Sequence, residues 1–263
     1  MGDPLIQLTW MELTLCGAMI AAVVIAGIWL RLGLAGQVLW ATVRATVQLL
    51  AVGLVIGWVF QQEAWYTVTG LLAIMVVIAG LAGSRRAAVG VRGVSRLLTP
   101  VLAIVTGVTL VFLGGPVLNL EGWDGRYLIP LGGMVLGNAM TAGTLSMERF
   151  TTGLKNGRAR IEAGLSLGLA PTRAARKQRR AAITAALTPT LNTMMVVGVV
   201  KLPGMMTGQI LGGSDPMQAS LYQLLILGAI IFADAMTAIG CVLLLQRRCF
   251  NDAWQLVLPA DHR

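Results

Sequence analysis

Few side chains in this 263-residue chain can do chemistry, and most of those that can lie in stretches otherwise too apolar for water. Asp234 sits about 16 Å from the basic end of the apolar run 219–245, taking 1.5 Å per helical residue. That is too deep for a short carboxylate to reach solvent. Arg44 lies about 9 Å inside the run 38–59 by the same rise, a depth from which its long stem can partly snorkel. Gln48 follows one helical turn later on the same face. Asn138 and Asn192 are amides in apolar runs, where an unpaired polar group is expensive. Ionisable groups in such surroundings are functional candidates by default. Asp234 is therefore expected to line a polar route or hold a cation there; a structural bond to Arg44 or to backbone is the alternative. Asn138 and Asn192 either join helices or line the same route. Met205 and Met206, beside Gly204, offer soft thioethers that suit Cu(I) better than ferrous iron, although methionine also fills irregular cores. The one histidine is His262, and there is no Cys-x-x-Cys and no carboxylate cluster, so the residues alone assign no metal ligands. Nothing resembles a catalytic constellation. The phosphate-loop pattern G-x-x-x-x-G-K-[ST] is missing, the stretch from Gly153 to Gly157 having the wrong spacing. No catalytic residue and no cofactor of the chain's own is expected.

The elements that must position these residues follow from composition. Apolar residues make up 56% of the chain and charged residues 12%, about half the charged share of an average soluble domain, and the mean hydropathy is +0.78. Such a chain dissolves in a bilayer. Runs of about 20 apolar residues cross the hydrocarbon as helices, and seven are legible: 11–30, 38–59, 66–83, 99–118, 127–147, 183–201 and 219–245. The expected fold is all-α and polytopic, a single transmembrane domain over 1–263. Cys16, Cys241 and Cys249 imply no disulfide framework, and no basic region precedes the first run, so no cleavable leader is expected. Spacings such as Gly53/Gly57, Gly133/Gly137 and Gly204/Gly208/Gly212 are expected to let helices approach closely.

Charge sets direction. The formal charge is +9, but it follows the loops and forms no nucleic-acid patch. Of the 20 basic residues, all but Arg44, Arg126 and Lys201 fall on one side: Arg31, the segment 84–98 with Arg85, Arg86, Arg92 and Arg96, the loop 148–182, and the tail with Arg247, Arg248 and Arg263. Glu63, Glu121, Asp124 and Asp215 lie on the other. The positive-inside rule then places the N-terminus outside and the C-terminus in the cytoplasm, which an odd number of spans satisfies. Pro189 should kink its span, with Thr190, Asn192 and Thr193 available to the freed carbonyls. The segment 202–213, after Lys201-Leu202-Pro203-Gly204, is too short to cross; it is either re-entrant or an outer loop lying on the headgroups.

The loop 148–182 is too long and too patterned for a simple connector. Residues 161–169 can form a short helix, Pro171 suits the start of a second, and Arg173–Arg180 lead into the next span. Such an element either docks another protein or lies on anionic headgroups.

Glu162-Ala163-Gly164, with Leu167-Gly168 following and Leu187-Thr188-Pro189 beyond, resembles the EAA loop of ABC permeases, with Gly at the third position and a longer spacing to the proline. Over nearly the whole chain the sequence looks like the bacterial FetB family, permeases of iron-export ABC systems with aluminium-tolerance relatives in plants. The resemblance is carried by Arg44-Ala45-Thr46-Val47-Gln48-Leu49, by Pro130 to Asn138, by Pro189-Thr190-Leu191-Asn192-Thr193-Met194, and by Leu202 to Gly213 with Asp215-Pro216 and Tyr222-Gln223. It implies an ABC permease subunit of the bacterial inner membrane, a homodimer working with a separate ATPase that binds ATP and Mg. It also implies that the helix holding Glu162, Ala163, Gly164, Leu167 and Gly168 couples the two, and that the cargo is iron or another metal ion. Arg44, Gln48, Asn138, Asn192, Met205, Met206 and Asp234 are the candidates for the path. Two other readings stay open: an ABC permease for a nucleotide sugar or other organic solute, and a stand-alone secondary transporter, against which stands the lack of an inverted repeat.

Overall fold

The computed structural model describes residues 10–62, 64–86, 94–119 and 124–257. Arg92, Glu63, Glu121, His262 and Arg263 lie outside them. The described chain is helical: α1 Trp10–Trp29, α2 Ala35–Gln62, α3 Trp65–Arg86, α4 Val94–Phe112, α5 Gly125–Asn156, α6 Arg158–Ser166, α7 Pro171–Ala174, α8 Arg176–Val196, α9 Gly204–Leu211 and α10 Pro216–Cys249. Helix α4 ends in a wider π turn, Leu113–Val117, which contains Pro116. Among the described residues six helices are long and apolar enough to cross a membrane: α1, α2, α3, α4 with its π turn, α5 and α10. The chain is an all-α, polytopic membrane protein.

Most expected spans return with small shifts. The helix of the run 127–147 continues to Asn156, because Phe150 and Leu154 carry the buried face of Met147 onward through a charged stretch; all three are fully buried. Asp124 caps α5, its side chain accepting from the Arg126 N–H, and Asp215 caps α10 by accepting from the Gln218 N–H, with Pro216 in the first turn. Both are ordinary helix starts.

The run 183–201 differs. Its helix, α8, opens on Arg176, Lys177, Arg179 and Arg180 and stops at Val196, where Gly198 turns with φ +84°. It is not among the six long apolar helices. The stretch from Ala181 to Val196 is about 24 Å long at 1.5 Å per residue, short of a ~30 Å hydrocarbon core. Two bonds nevertheless fix its course. Arg179 Nη1 donates to Gln246 Oε1 at 3.1 Å, and the Thr190 hydroxyl donates to Asp234 Oδ2 at 2.5 Å. As α8 advances, its partner positions on α10 recede, so the two helices run antiparallel along the same length. The second helix expected from Arg173 to Arg180 is divided: α7 is one turn opened by Pro171, and buried Ala175 separates it from α8. The segment 202–213 contains α9, eight residues with no buried side chain.

The described residues form two compact units. In the first, α1 and α2 pack on each other around a turn in which Arg31 has φ +51° and Gly33 φ +67°. Nearly all their side chains are exposed. The second holds α3 to α8, most of α9, and α10, with a core in which α5 and α10 pack most extensively and α3, α4 and α8 surround them. Of the glycines in those spacings, Gly133 lies in ordinary contact with α3, its added Cβ standing 3.4 Å from Met75 Cε, but most of the others mark no close approach. Around Gly53, Gly57, Gly137, Gly204 and Gly208 an added Cβ meets nothing within 4 Å. At Gly143 it would stand 2.8 Å from Leu98 and 3.0 Å from Thr237, so α4, α5 and α10 meet at that glycine. Spacing shows where a small residue lies on its own helix, but the crossing point depends on the partner.

Gly143→Val is therefore expected to destabilise the helix packing by about 1–3 kcal/mol, read as a lower unfolding midpoint in detergent. Gly53→Ala, with open space around it, should leave that midpoint in place.

Candidate functional site

Midway along α10, Asp234 is 1% exposed. A carboxylate there is costly unless it is hydrogen-bonded or paired. One oxygen, Oδ2, accepts from Thr190; the other, Oδ1, is buried with no protein partner. The residue lines a cavity of about 320 Å³, together with Asn138 and Thr141 of α5, Pro189, Thr190 and Thr193 of α8, Lys201 and Pro203 beyond α8, and Gln223 of α10. At about 30 Å³ per water the space holds several waters or a partly hydrated ion. Its polar lining is almost all oxygen and amide. Lys201 is exposed and makes no ion pair with Asp234. The Gln223 side-chain oxygen is also buried without a partner.

The proline explains part of this arrangement. Pro189 has no N–H to give the carbonyl of Ala185, so α8 is locally weakened. The neighbouring hydroxyls do not repair that carbonyl. Thr193 donates to the Pro189 carbonyl at 3.1 Å, Thr190 is committed to Asp234, and Asn192 is exposed. Asn138 donates to its own helix at the Met134 carbonyl, 2.8 Å away, which leaves its carbonyl oxygen for the cavity.

The sequence-derived path residues thus divide. Asn138 and Asp234 share the cavity. Met205 and Met206 are half-buried on α9, and neither lines it. Arg44 and Gln48 are exposed on α2, in the other compact unit. Thr190 and Gln223 were not singled out by the sequence as path residues. Gln223 had a signal: it precedes Asp234 by three helical turns and so shares its face. Thr190 had none, because its role depends on how α8 and α10 are aligned. Among the described residues no group of three or more His, Cys, Asp or Glu side chains could hold a metal.

The arginine-rich end carries a second feature. Helix α6 is anchored by Ile161, 1% exposed, and an Arg158–Glu162 ion pair of 2.7 Å lies on its surface. It closes in a Schellman turn: the Leu169 N–H donates to the Gly164 carbonyl and the Gly168 N–H to that of Leu165, with Gly168 at φ +84°. Leu169 folds back over Gly164, where an added Cβ would meet its Cδ1 at 3.2 Å. An alanine at the third position of Glu162-Ala163-Gly164 would press on that side chain, which would have to shift by a few tenths of an ångström. At the tip Leu167 is 85% exposed. Beside α6 the residues that follow α10 make a tight antiparallel turn, with Phe250 bridged to Leu256 and the Val257 N–H donating to the Cys249 carbonyl. A groove of about 770 Å³ separates this turn from α6. Gln246 ties the region together, accepting from Arg179 and donating to the Pro171 carbonyl.

Residues 10–250 match the model of an uncharacterised protein family, UPF0014. The chain is 36% identical to the UPF0014 membrane protein slr1647 of Synechocystis, over 98% of this chain and 100% of that one. It is 31% identical to the protein ALUMINUM SENSITIVE 3 of Arabidopsis thaliana, over 86% and 82%. To the probable iron export permease protein FetB of Escherichia coli it is 32% identical, over 87% of each chain. No solved structure matches.

Thr190→Val should leave the Asp234 carboxylate without its hydroxyl donor. The expected cost is about 1–3 kcal/mol, seen as a lower unfolding midpoint in detergent. Asn192→Ala, on the exposed side of the same helix, should stay within about 0.5 kcal/mol of the parent.

Proposed function

The chain belongs to the UPF0014 family, and we propose that it is the membrane-spanning permease subunit of an ABC transporter that exports iron or another metal ion. The observation that carries this reading is α6, a short helix fixed to the core by Ile161 with the apolar tip Leu167 left bare. A capped helix that presents an apolar residue at its tip has the form of an element that inserts into a groove of another protein, and a cleft on a separate ATPase subunit is the proposed partner. ATP and Mg then bind on that subunit. Two copies of this chain would work with two ATPases, in the inner membrane, with α6 and the arginine-rich end in the cytoplasm.

The similarity to the probable iron export permease protein of Escherichia coli supports a metal cargo, and so does the chemistry of the cavity. Asp234 supplies one carboxylate with a free oxygen, while Thr190, Asn138 and Gln223 supply neutral oxygens. Oxygen donors suit hard or borderline divalent ions. A single carboxylate among weak ligands holds an ion loosely enough to release it, as a path requires.

Co-expression with the cognate ATPase, purification and reconstitution test the reading. Leu167→Asp should weaken ATPase capture about tenfold or more, the effect of losing a central apolar anchor, with the permease still folded. Undiminished capture and cargo-stimulated hydrolysis would reject α6 as the docking element. Asp234→Asn should leave ATPase capture intact and lower metal export about tenfold, the loss of one charge-assisted contact. Intact export at equal expression would remove Asp234 from the path. Stimulation by a sugar nucleotide and not by iron would replace the metal cargo.

A further inference from the structure

On the other side of α6 lies a groove of about 880 Å³ that neither the cavity nor the apolar tip explains. One end is lined by Arg160 of α6, Arg173 of α7, and Arg176, Lys177 and Arg180 of α8. All five are exposed, and none has an ion pair among the described residues. Five unpaired cations around one concavity repel each other, so the groove favours an anion. The other end follows α8 along Ala181, Thr184, Ala185 and Thr188. At 1.5 Å per residue the step from Arg180 to Thr188 is about 12 Å toward the apolar part of the helix. These residues lie on one side of α8, while Arg179, Ala182, Ala186 and Thr190 make its packed side. The groove is thus basic at the interface and small and uncharged where it descends.

We propose that this groove binds an anionic phospholipid, its phosphate among Arg160, Arg173, Arg176, Lys177 and Arg180 and one acyl chain along Ala181, Ala185 and Thr188. A soluble anion would use the basic end and leave the small-residue track empty. An acidic protein surface could meet the arginines but could not follow α8 into hydrocarbon. Only an amphiphile matches both ends. Basic pockets at the ends of membrane helices hold lipid headgroups in this way. The proposal does not depend on the cargo or on the ATPase.

The test is retention of phosphatidylglycerol by the full chain, purified from vesicles of equal phosphatidylglycerol and phosphatidylcholine and read by native mass spectrometry. The wild type should keep phosphatidylglycerol in preference to phosphatidylcholine. The double variant Arg176→Gln/Arg180→Gln should bind it roughly thirty-fold more weakly, the effect of removing two cations facing an anionic lipid. Ala185→Leu, which adds only apolar bulk in the track, should reduce retention with every charge in place, and so guards against a misfolded double variant. Arg247→Gln/Arg248→Gln removes equal charge from the same end outside the groove and should change nothing. Equal loss in that control would mean general attraction to a basic surface and would overturn the proposal. Displacement of the lipid by soluble uridine diphosphate would make the groove a solute site and overturn it as well. So would retention that disappears only when a second protomer or the ATPase is bound to wild-type protein.

Discussion

A helix that begins with four basic residues and contains a proline is a weak span by itself, and α8 is held by its packing on α5 and α10 and by two polar ties to α10. Arg179 to Gln246 at one end and Thr190 to Asp234 further along set the alignment of these two antiparallel helices. Hydrogen bonds are worth more where water cannot compete, though each contributes modestly. Their effect here is positional. The Thr190 bond holds Asp234 with one oxygen satisfied and the other free, and so defines the cavity. The Gln246 side chain reaches on to the Pro171 carbonyl and fixes the turn that leads to α8.

The same two ties connect the cavity to the arginine-rich end. Helix α6 is joined to α8 through α7, one turn long, and Ile161 and Ala175 are buried in the core that holds α5 and α10. Helices α6 and α8 are thus seated in one core, with the turn at 167–170 and the one-turn α7 between them. The weak point of α8 is at Pro189, next to the residue that holds Asp234.

Much of the architecture was legible because membranes constrain it so strongly. Backbone polar groups must be satisfied within each helix, so long apolar runs became helices almost where they were read. The caps Asp124 and Asp215, and Pro171 opening a turn, are local signals that survived folding. The short helix around Glu162 was likewise visible, since its length and glycines are local. Tertiary alignment was not legible. Asp234 and Asn138 could be singled out because each is anomalous on its own helix, whereas Thr190 becomes important only when α8 lies beside α10. Glycine spacing misled for the same reason: Gly143 sits at a crossing and Gly53 does not, although both are small residues in apolar helices. The basic groove escaped notice because its cations come from three helices and read in sequence as ordinary loop charge.

The central claim is that α6 is the seat of a separate ATPase. Hydrogen exchange of the reconstituted chain, with and without that subunit, measures it directly. Slowed exchange concentrated at residues 158–169 on adding the ATPase, with the α1–α2 unit unchanged, is the predicted result. Slowed exchange elsewhere, with residues 158–169 as open as in the chain alone, would contradict it.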